Sequence, residues 1–316
     1  MPDTPEEIAR RYTRRAFSVL RVAGGLADEA DADVRRLGRR IQAAISEYEL
    51  ADIGRRDLAA LVRALEATIA AAYALTGAAQ VAAVREVLAI EAAWAASVID
   101  GSPAAESVLA RWQRDLLVLG ATPAQQWERQ GDLLARRVTD IVRDAAATSQ
   151  PPDVVRVSVR EAVDIARRDA QGLADVSTTS AAAQGHAEDA RANGAIAFRW
   201  HAVLDARVTA GCALRHGLLY TLDYQPLGHS IPIERPPPRH WGCRSLMSPL
   251  LRMPRPTDRP VGSFEDFVNG LSPDEQDDIL GAGRAALWRR GVITKADLIN
   301  QRGRVLTLGE LRARGD

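Results

Sequence analysis

Apolar residues recur at helical spacing through the first half of the chain. Ile8, Tyr12 and Val19 lie three or four residues, or multiples of these, from one another, which places them on one helical face. The same spacing continues to about residue 174, so this half is predicted to be nearly all helix. Gly24-Gly25 and Gly77 weaken the pattern, and we expect the helices to be interrupted there.

Several helix starts carry a hydroxyl cap. Thr122-Pro123 with Gln125 three residues after the threonine has the pattern of a capping box with proline at the first helical position. The tail repeats this signature and is predicted to form four short helices. The caps are Ser263 with Asp266, Ser272 with Glu275, Thr294 with Asp297, and Thr307 with Glu310.

The pattern changes near residue 175. Phe198, Trp200, Ala202 and Leu204 alternate with less apolar residues, as in a half-buried strand, and 218–222 is a second strand candidate. We therefore predict a mainly α protein with a small α+β C-terminal domain, whose short antiparallel strands lie around 196–250 and precede a helical tail. The predicted boundaries are 1–174, 175–253 and 254–316.

Composition agrees with packed helices and constrains the partners. Hydrophobic residues make up 47% of the chain and aromatic residues 5%, a mix that suits close helix packing better than a β-sandwich. Lys+Arg and Asp+Glu balance at 41 each, so DNA contact is expected only through a local patch. Arg85, Glu86 and Glu91 interrupt the most apolar stretch, which favours buried helices over a membrane span. The N-terminus lacks an apolar signal-peptide core, so we expect synthesis in the cytoplasm.

Two cysteine–histidine pairs are candidate metal ligands. Cys212 and His216 are four residues apart, and His240 and Cys243 are three apart. Two thiolates and two imidazoles can form a tetrahedral zinc site that closes the connection between the pairs. Two alternatives remain open: the cysteines are small buried hydrophobic residues, or they form a disulfide outside a reducing compartment. Zinc is therefore the candidate cofactor.

The same region resembles the Mu F-like minor head proteins, also described as phage head morphogenesis proteins. The resemblance covers about 160–316, including the tail, and rests on an ordered set of motifs, of which no single one is diagnostic. Thr209 and Ser245 depart from the family, because many members have cysteine there. The matching positions are Trp200, Leu204-Asp205, Arg207, Cys212, His216-Gly217, Pro237, His240 and Cys243-Arg244.

The resemblance implies a structural role and not an enzymatic one. Such proteins are low-copy components of the procapsid interior that bind the portal, and they act in head assembly, DNA packaging or ejection. The implied partners are the portal protein, with a major capsid or scaffold protein and weakly held DNA as further candidates, and no membrane. The implied location is the virion head interior, after assembly in the host cytoplasm. The helical half is expected to dock the portal.

Individual residues carry further expectations. Asp205 and Arg207 either form a buried ion pair that fixes the Cys212 loop or are solvated charges. Gly217 suits a turn with positive φ, and Pro237 stiffens the loop that returns His240 and Cys243. Six arginines either contact DNA or an acidic portal surface or form a solvated linker. They are Arg235, Arg239, Arg244, Arg252, Arg255 and Arg259.

Two other functions are conceivable from the residues. A phage-associated nuclease or toxin-like enzyme would use His216 and His240 for acid–base chemistry. The sequence shows no paired carboxylates, nucleophile elbow or phosphate-cradling glycine loop to support it. A zinc-dependent DNA-binding module is the other alternative, and the balanced charge argues against it.

Overall fold

The chain is mainly helical. The computed structural model describes residues 4–204, 207–233, 235–255, 264–295, 297–298 and 305–312. It is 67% helix with a small antiparallel sheet in the C-terminal part, which confirms the predicted fold class. The helices are α1 (Pro5–Ser46), a 3-10 turn (Leu50–Asp52), α2 (Arg55–Val98), α3 (Glu106–Arg114), α4 (Pro123–Thr148), α5 (Pro152–Ala192), α6 (Ala210–Ala213), α7 (Phe264–Asn269), α8 (Pro273–Leu280), α9 (Ala282–Arg289) and α10 (Leu308–Arg312). The strands are β1 (Ala197–His201), β2 (Leu219–Tyr220), β3 (Pro226–Leu227) and β4 (Leu246–Leu250).

The expected helix interruptions at glycine were wrong. α1 runs through Gly24-Gly25, and α2 runs through Gly77. A Cβ built on Gly77 would lie 2.9 Å from Trp127 Cβ, and one on Gly131 would lie 3.0 Å from Tyr73 Cβ. These two glycines therefore let α2 and α4 approach closely, and packing outweighs their weak helix propensity.

Two compact units make up the chain. One contains Met1–Ser18, Ala89–Trp112 and Ala182–Asp316, and the other contains Val19–Leu88 and Gln113–Ala181. The predicted boundary at 174/175 falls inside α5, which runs from Pro152 to Ala192 without a break. We call the first the sheet unit and the second the bundle unit.

The bundle unit is built on a continuous apolar core. Leu37 and Ile41 of α1, Leu65 and Ile69 of α2, and Val138 of α4 are almost fully buried. The 18-residue window of α2 with the highest mean hydropathy, 1.6, is long and apolar enough to cross a membrane, although the core helix of a soluble protein passes the same test. Only 28% of that window is buried, so much of this apolar helix is solvent-exposed. The absence of a membrane partner stays a prediction.

The sheet unit has the strand order β3-β2-β1-β4, with every neighbouring pair antiparallel. All five residues of β1 are buried, so the expectation of a half-buried strand was wrong. Its polar side chains find buried partners, which allows both faces to be covered. Arg199 lies 3.4 Å from Glu6, and His201 lies 2.8 Å from Ser248.

The predicted cap pairs form hydrogen bonds wherever the structure describes them, but the helix predicted after Thr294 is absent from the described residues, and α9 begins at Ala282 without a predicted cap. Thr122 and Ser272 form complete capping boxes at the starts of α4 and α8. Thr294 and Thr307 donate backbone N–H bonds to the acid three residues on, each at 2.7 Å. Ser263 lies outside the described residues.

Candidate metal centre

The sheet brings the two cysteine segments to one end of β1. The chain leaves β1 at His201, forms α6 and returns in β2, whereas the proline-rich loop leads into β4, whose first residue, Leu246, pairs with His201. Both connections therefore pass the same end of β1. Thr209 caps α6 by accepting a hydrogen bond from the Cys212 N–H at 3.4 Å, which fixes the cysteine in the first helical turn.

Three of the four predicted ligands meet there. Cys212 Sγ lies 3.8 Å from Cys243 Sγ and 3.3 Å from His240 Nε2, and the three atoms all lie within 4.8 Å of one another. Zinc bonds of ~2.3 Å to sulfur and ~2.0 Å to nitrogen give tetrahedral edges of about 3.8 Å between two sulfurs and about 3.5 Å between sulfur and nitrogen. The group therefore fits a metal ion, and the predicted closure of the Cys212 segment on the His240–Cys243 segment is confirmed.

The orientation of His240 suits metal ligation. Its Nδ1 lies 2.8 Å from the carbonyl oxygen of Trp241 and donates to it in the tautomer that this contact requires. That hydrogen bond leaves Nε2 directed at the thiols, as in histidine ligands whose second nitrogen is held by the protein.

The electrostatics of the group favour a thiolate. The hydrogen bond from Cys243, followed by those of His240, Ser245 and Thr209, outweighs burial and lowers the pKa of Cys212 well below its ordinary value. The pKa of Cys243 is raised, chiefly by the same hydrogen bond. The pKa of His240 is raised by its hydrogen bond with Cys212. The thiolate is the form that binds metals.

His216 is not a member of this group, which corrects the four-ligand prediction. Its Nδ1 accepts the Ala202 N–H at 3.1 Å, and its ring meets His201 edge-on at 6.0 Å. Helix α6 ends at Ala213 and the chain turns at Gly217, so the Cys212–His216 spacing does not form one helical face. Burial lowers the pKa of His216, and it lowers that of His201 to about 3. His216 therefore does not belong to the polar group that contains His240. The nuclease hypothesis required these two histidines to act together.

The motif residues support the fold around the group. Trp200 is fully buried in β1, and Gly217, at φ 81°, donates its N–H to the Trp200 carbonyl at 2.9 Å. Pro237 is buried in the returning loop. Arg207 and Arg244 line a small cavity beside Cys212. Asp205 lies outside the described residues, so its ion pair with Arg207 stays a prediction.

The arginines of the proposed contact patch differ in environment. Arg235 and Arg255 are exposed, whereas Arg239 and Arg252 are half-buried. Arg252 donates to the Met253 carbonyl at 3.3 Å. Arg259 lies outside the described residues. Both alternatives for these arginines, contact with DNA or the portal and a solvated linker, stay predictions.

Sequence reasoning missed the fully buried Arg215. Its guanidinium donates to the carbonyl oxygens of Gly211 and Pro232, the latter at 2.8 Å. It thereby ties α6 to the proline-rich loop behind the cysteines. Its sequence neighbours give no sign of burial. Trp241, a large aromatic residue of the same loop, is by contrast 46% exposed.

A second polar group in the sheet unit was also missed. Glu91 of α2 is buried and accepts from Arg15 of α1 at 2.7 and 3.0 Å, and it lies 2.8 Å from His186 Nε2 of α5. Burial by itself would raise the pKa of Glu91, but the hydrogen bonds from His186 and Arg15 outweigh it and lower the pKa. Arg15 is 76 positions from Glu91 in the sequence, and His186 is 95 positions from it. No local sequence pattern could therefore indicate this group.

Comparisons of the chain with known protein families, curated proteins and solved structures found no match.

Proposed function

We propose that this chain is a minor head-morphogenesis protein of a tailed phage or phage-derived particle, and that its sheet unit is held by a zinc ion. The support is the ordered set of motif positions from Trp200 to Arg244, which resembles the Mu F-like proteins. The single observation that carries the proposal is the contact of Cys212 with His240 and Cys243. This contact joins the two ends of the segment that resembles the Mu F-like proteins, so that the segment forms one compact module.

Zinc would be held by Cys212, His240 and Cys243, and it would act as a structural crosslink. Residues 212 and 243 are separated by an irregular, proline-rich segment with little regular structure of its own. A metal that joins the two ends of such a segment stabilises the folded state, because the unfolded chain does not hold the ligands together. No catalytic residue is required for this role.

The bundle unit supplies a surface for the proposed portal contact. Along α2, Leu75 is 77% exposed, and the alanines at 70, 71, 74 and 78 are exposed beside it. α2 and α4 border a groove of about 770 Å³, with Ala74 and Ala78 on one wall and Glu128 and Asp132 on the other. An exposed apolar face of this kind is typical of interaction surfaces.

Co-purification tests the proposed role. The full chain is co-expressed with a portal protein from the same phage or phage-derived particle, and we expect a complex that survives size-exclusion chromatography. Leu75→Glu should weaken the complex. Val154→Glu is the matched control and should leave the complex intact, because Val154 is also an exposed apolar residue, at 45%, but lies on α5. Procapsids that lack density for the chain near the portal, together with no complex in solution, would refute the assignment.

Metal analysis tests the zinc separately. We expect about one zinc per chain after purification without added chelator, and loss of most of it in Cys212→Ser and Cys243→Ser. His216→Ala should retain the metal, because His216 binds backbone instead. Equal zinc content in all four proteins would contradict the site.

A further inference from the structure

A cavity adjoins Cys212 and His240, two of the three candidate ligands. Its volume is about 10 Å³, close to the space that one water molecule needs. Arg207, Thr209 and Gly242 at its border are exposed, so it communicates with solvent. Thr209, Ser245, Arg207 and Arg244 line it together with Cys212 and His240.

The donor atoms around this cavity are unsuited to complete a zinc site by themselves. Zinc in proteins takes four ligands from thiolate, imidazole and carboxylate groups. Within the described part of the chain, the metal-ligand group contains three such residues. The hydroxyls of Thr209 and Ser245 are the polar groups next to it: Thr209 Oγ1 lies 3.3 Å from His240 Nε2, and Ser245 hydrogen-bonds Cys212. Such hydroxyls suit hydrogen bonding to a small ligand.

We infer that the fourth metal position takes an exogenous oxygen donor. In the isolated chain this donor is water, and the oxygen of a small anion, a carboxylate or a phosphate, replaces it. The inference rests on the proposed zinc centre.

Size and charge both support this choice of ligand. The cavity admits a single donor atom and not a side chain. Two thiolates and a neutral imidazole make the zinc centre electrically neutral, so an anion meets no repulsion from the metal site as a whole. Arg207 and Arg244 add positive charge at the border, which favours an anionic oxygen over a neutral one.

Cobalt substitution provides the test. Co²⁺ is bound to the full chain in place of zinc, and its visible absorption bands are recorded during titration with acetate or inorganic phosphate. We expect saturable band shifts in the wild type with at least one of them, and the two titrations distinguish a carboxylate from a phosphate ligand. Ser245→Cys adds a thiolate at the cavity and should abolish the shifts, whereas Ser245→Ala should retain them.

X-ray absorption at the zinc edge gives a second readout. One histidine, two sulfurs and one further light atom per zinc are expected. Two histidines per zinc, or bands that neither anion shifts in wild type, would overturn the exogenous ligand while leaving the zinc centre intact. Failure to bind metal at all would overturn both, and portal binding would then test the head-protein assignment alone.

Discussion

The close crossing of α2 and α4 makes Gly77→Ala an informative perturbation. The added methyl carbon would lie 2.9 Å from Trp127 Cβ and 3.3 Å from Trp127 Cγ. The position of Trp127 Cβ is fixed by the backbone of α4, so a rotamer change cannot relieve the 2.9 Å contact. The side chain of Trp127 is 1% exposed and has no room to shift outward.

Two opposing effects set the magnitude. Alanine is favoured over glycine inside a helix by about 1 kcal/mol. Overpacking in a tight core costs roughly 1–3 kcal/mol. The net effect of Gly77→Ala on the free energy of unfolding is therefore a loss of about 0–2 kcal/mol.

A matched control isolates the packing effect. Gly25 lies inside α1, is exposed, and has no neighbour within 4 Å of a built Cβ. Gly25→Ala should therefore gain about 1 kcal/mol. The helix-propensity contribution cancels in the difference between the two variants, which should be about 1–3 kcal/mol.

Urea unfolding followed by far-UV circular dichroism measures both variants, with tryptophan fluorescence as a second probe. Gly131→Ala, whose Cβ would lie 3.0 Å from Tyr73 Cβ, should behave like Gly77→Ala. If Gly77→Ala stabilises the protein as much as Gly25→Ala does, the close approach of the two helices is incorrect.

Three further outcomes are expected. Thr122→Ala removes a complete capping box and should cost about 1 kcal/mol in urea unfolding, with Thr122→Ser as the conservative control; equal losses in both variants would argue against the cap. Glu91→Gln should destabilise by about 1–3 kcal/mol at neutral pH, because a buried charged hydrogen-bond acceptor is lost. The pKa of Glu91 is lowered from 4.5, so its contribution is present above that pH and disappears as the pH falls through the folded-state value; a gap between wild type and variant that persists at the acid limit would contradict this. Chelator should lower the melting temperature of wild type and of His216→Ala, but have little effect on Cys243→Ser, in scanning calorimetry.

The candidate site could be predicted in part. The spacing of Cys212, His240 and Cys243, with proline in the intervening loop, indicated that the two segments meet. The same reasoning included His216, because it lies four residues after Cys212 and its imidazole could complete a four-ligand set. α6 ends at Ala213, and the imidazole instead accepts a backbone N–H from the end of β1. Thr209 and Ser245 were noted only as positions without cysteine.

Features that depend on neighbours a few residues away could be predicted from the amino-acid sequence. The helical periodicity, the capping boxes at Thr122 and Ser272 and the mainly α class all follow from such local interactions. Three other features could not be predicted: the continuation of α2 through Gly77, the contacts of Arg15 and His186 with buried Glu91, and the set of ligands near Cys212. These features depend on contacts between segments that are far apart in the chain. The residues next to a given position in the sequence do not indicate which distant residue it will contact.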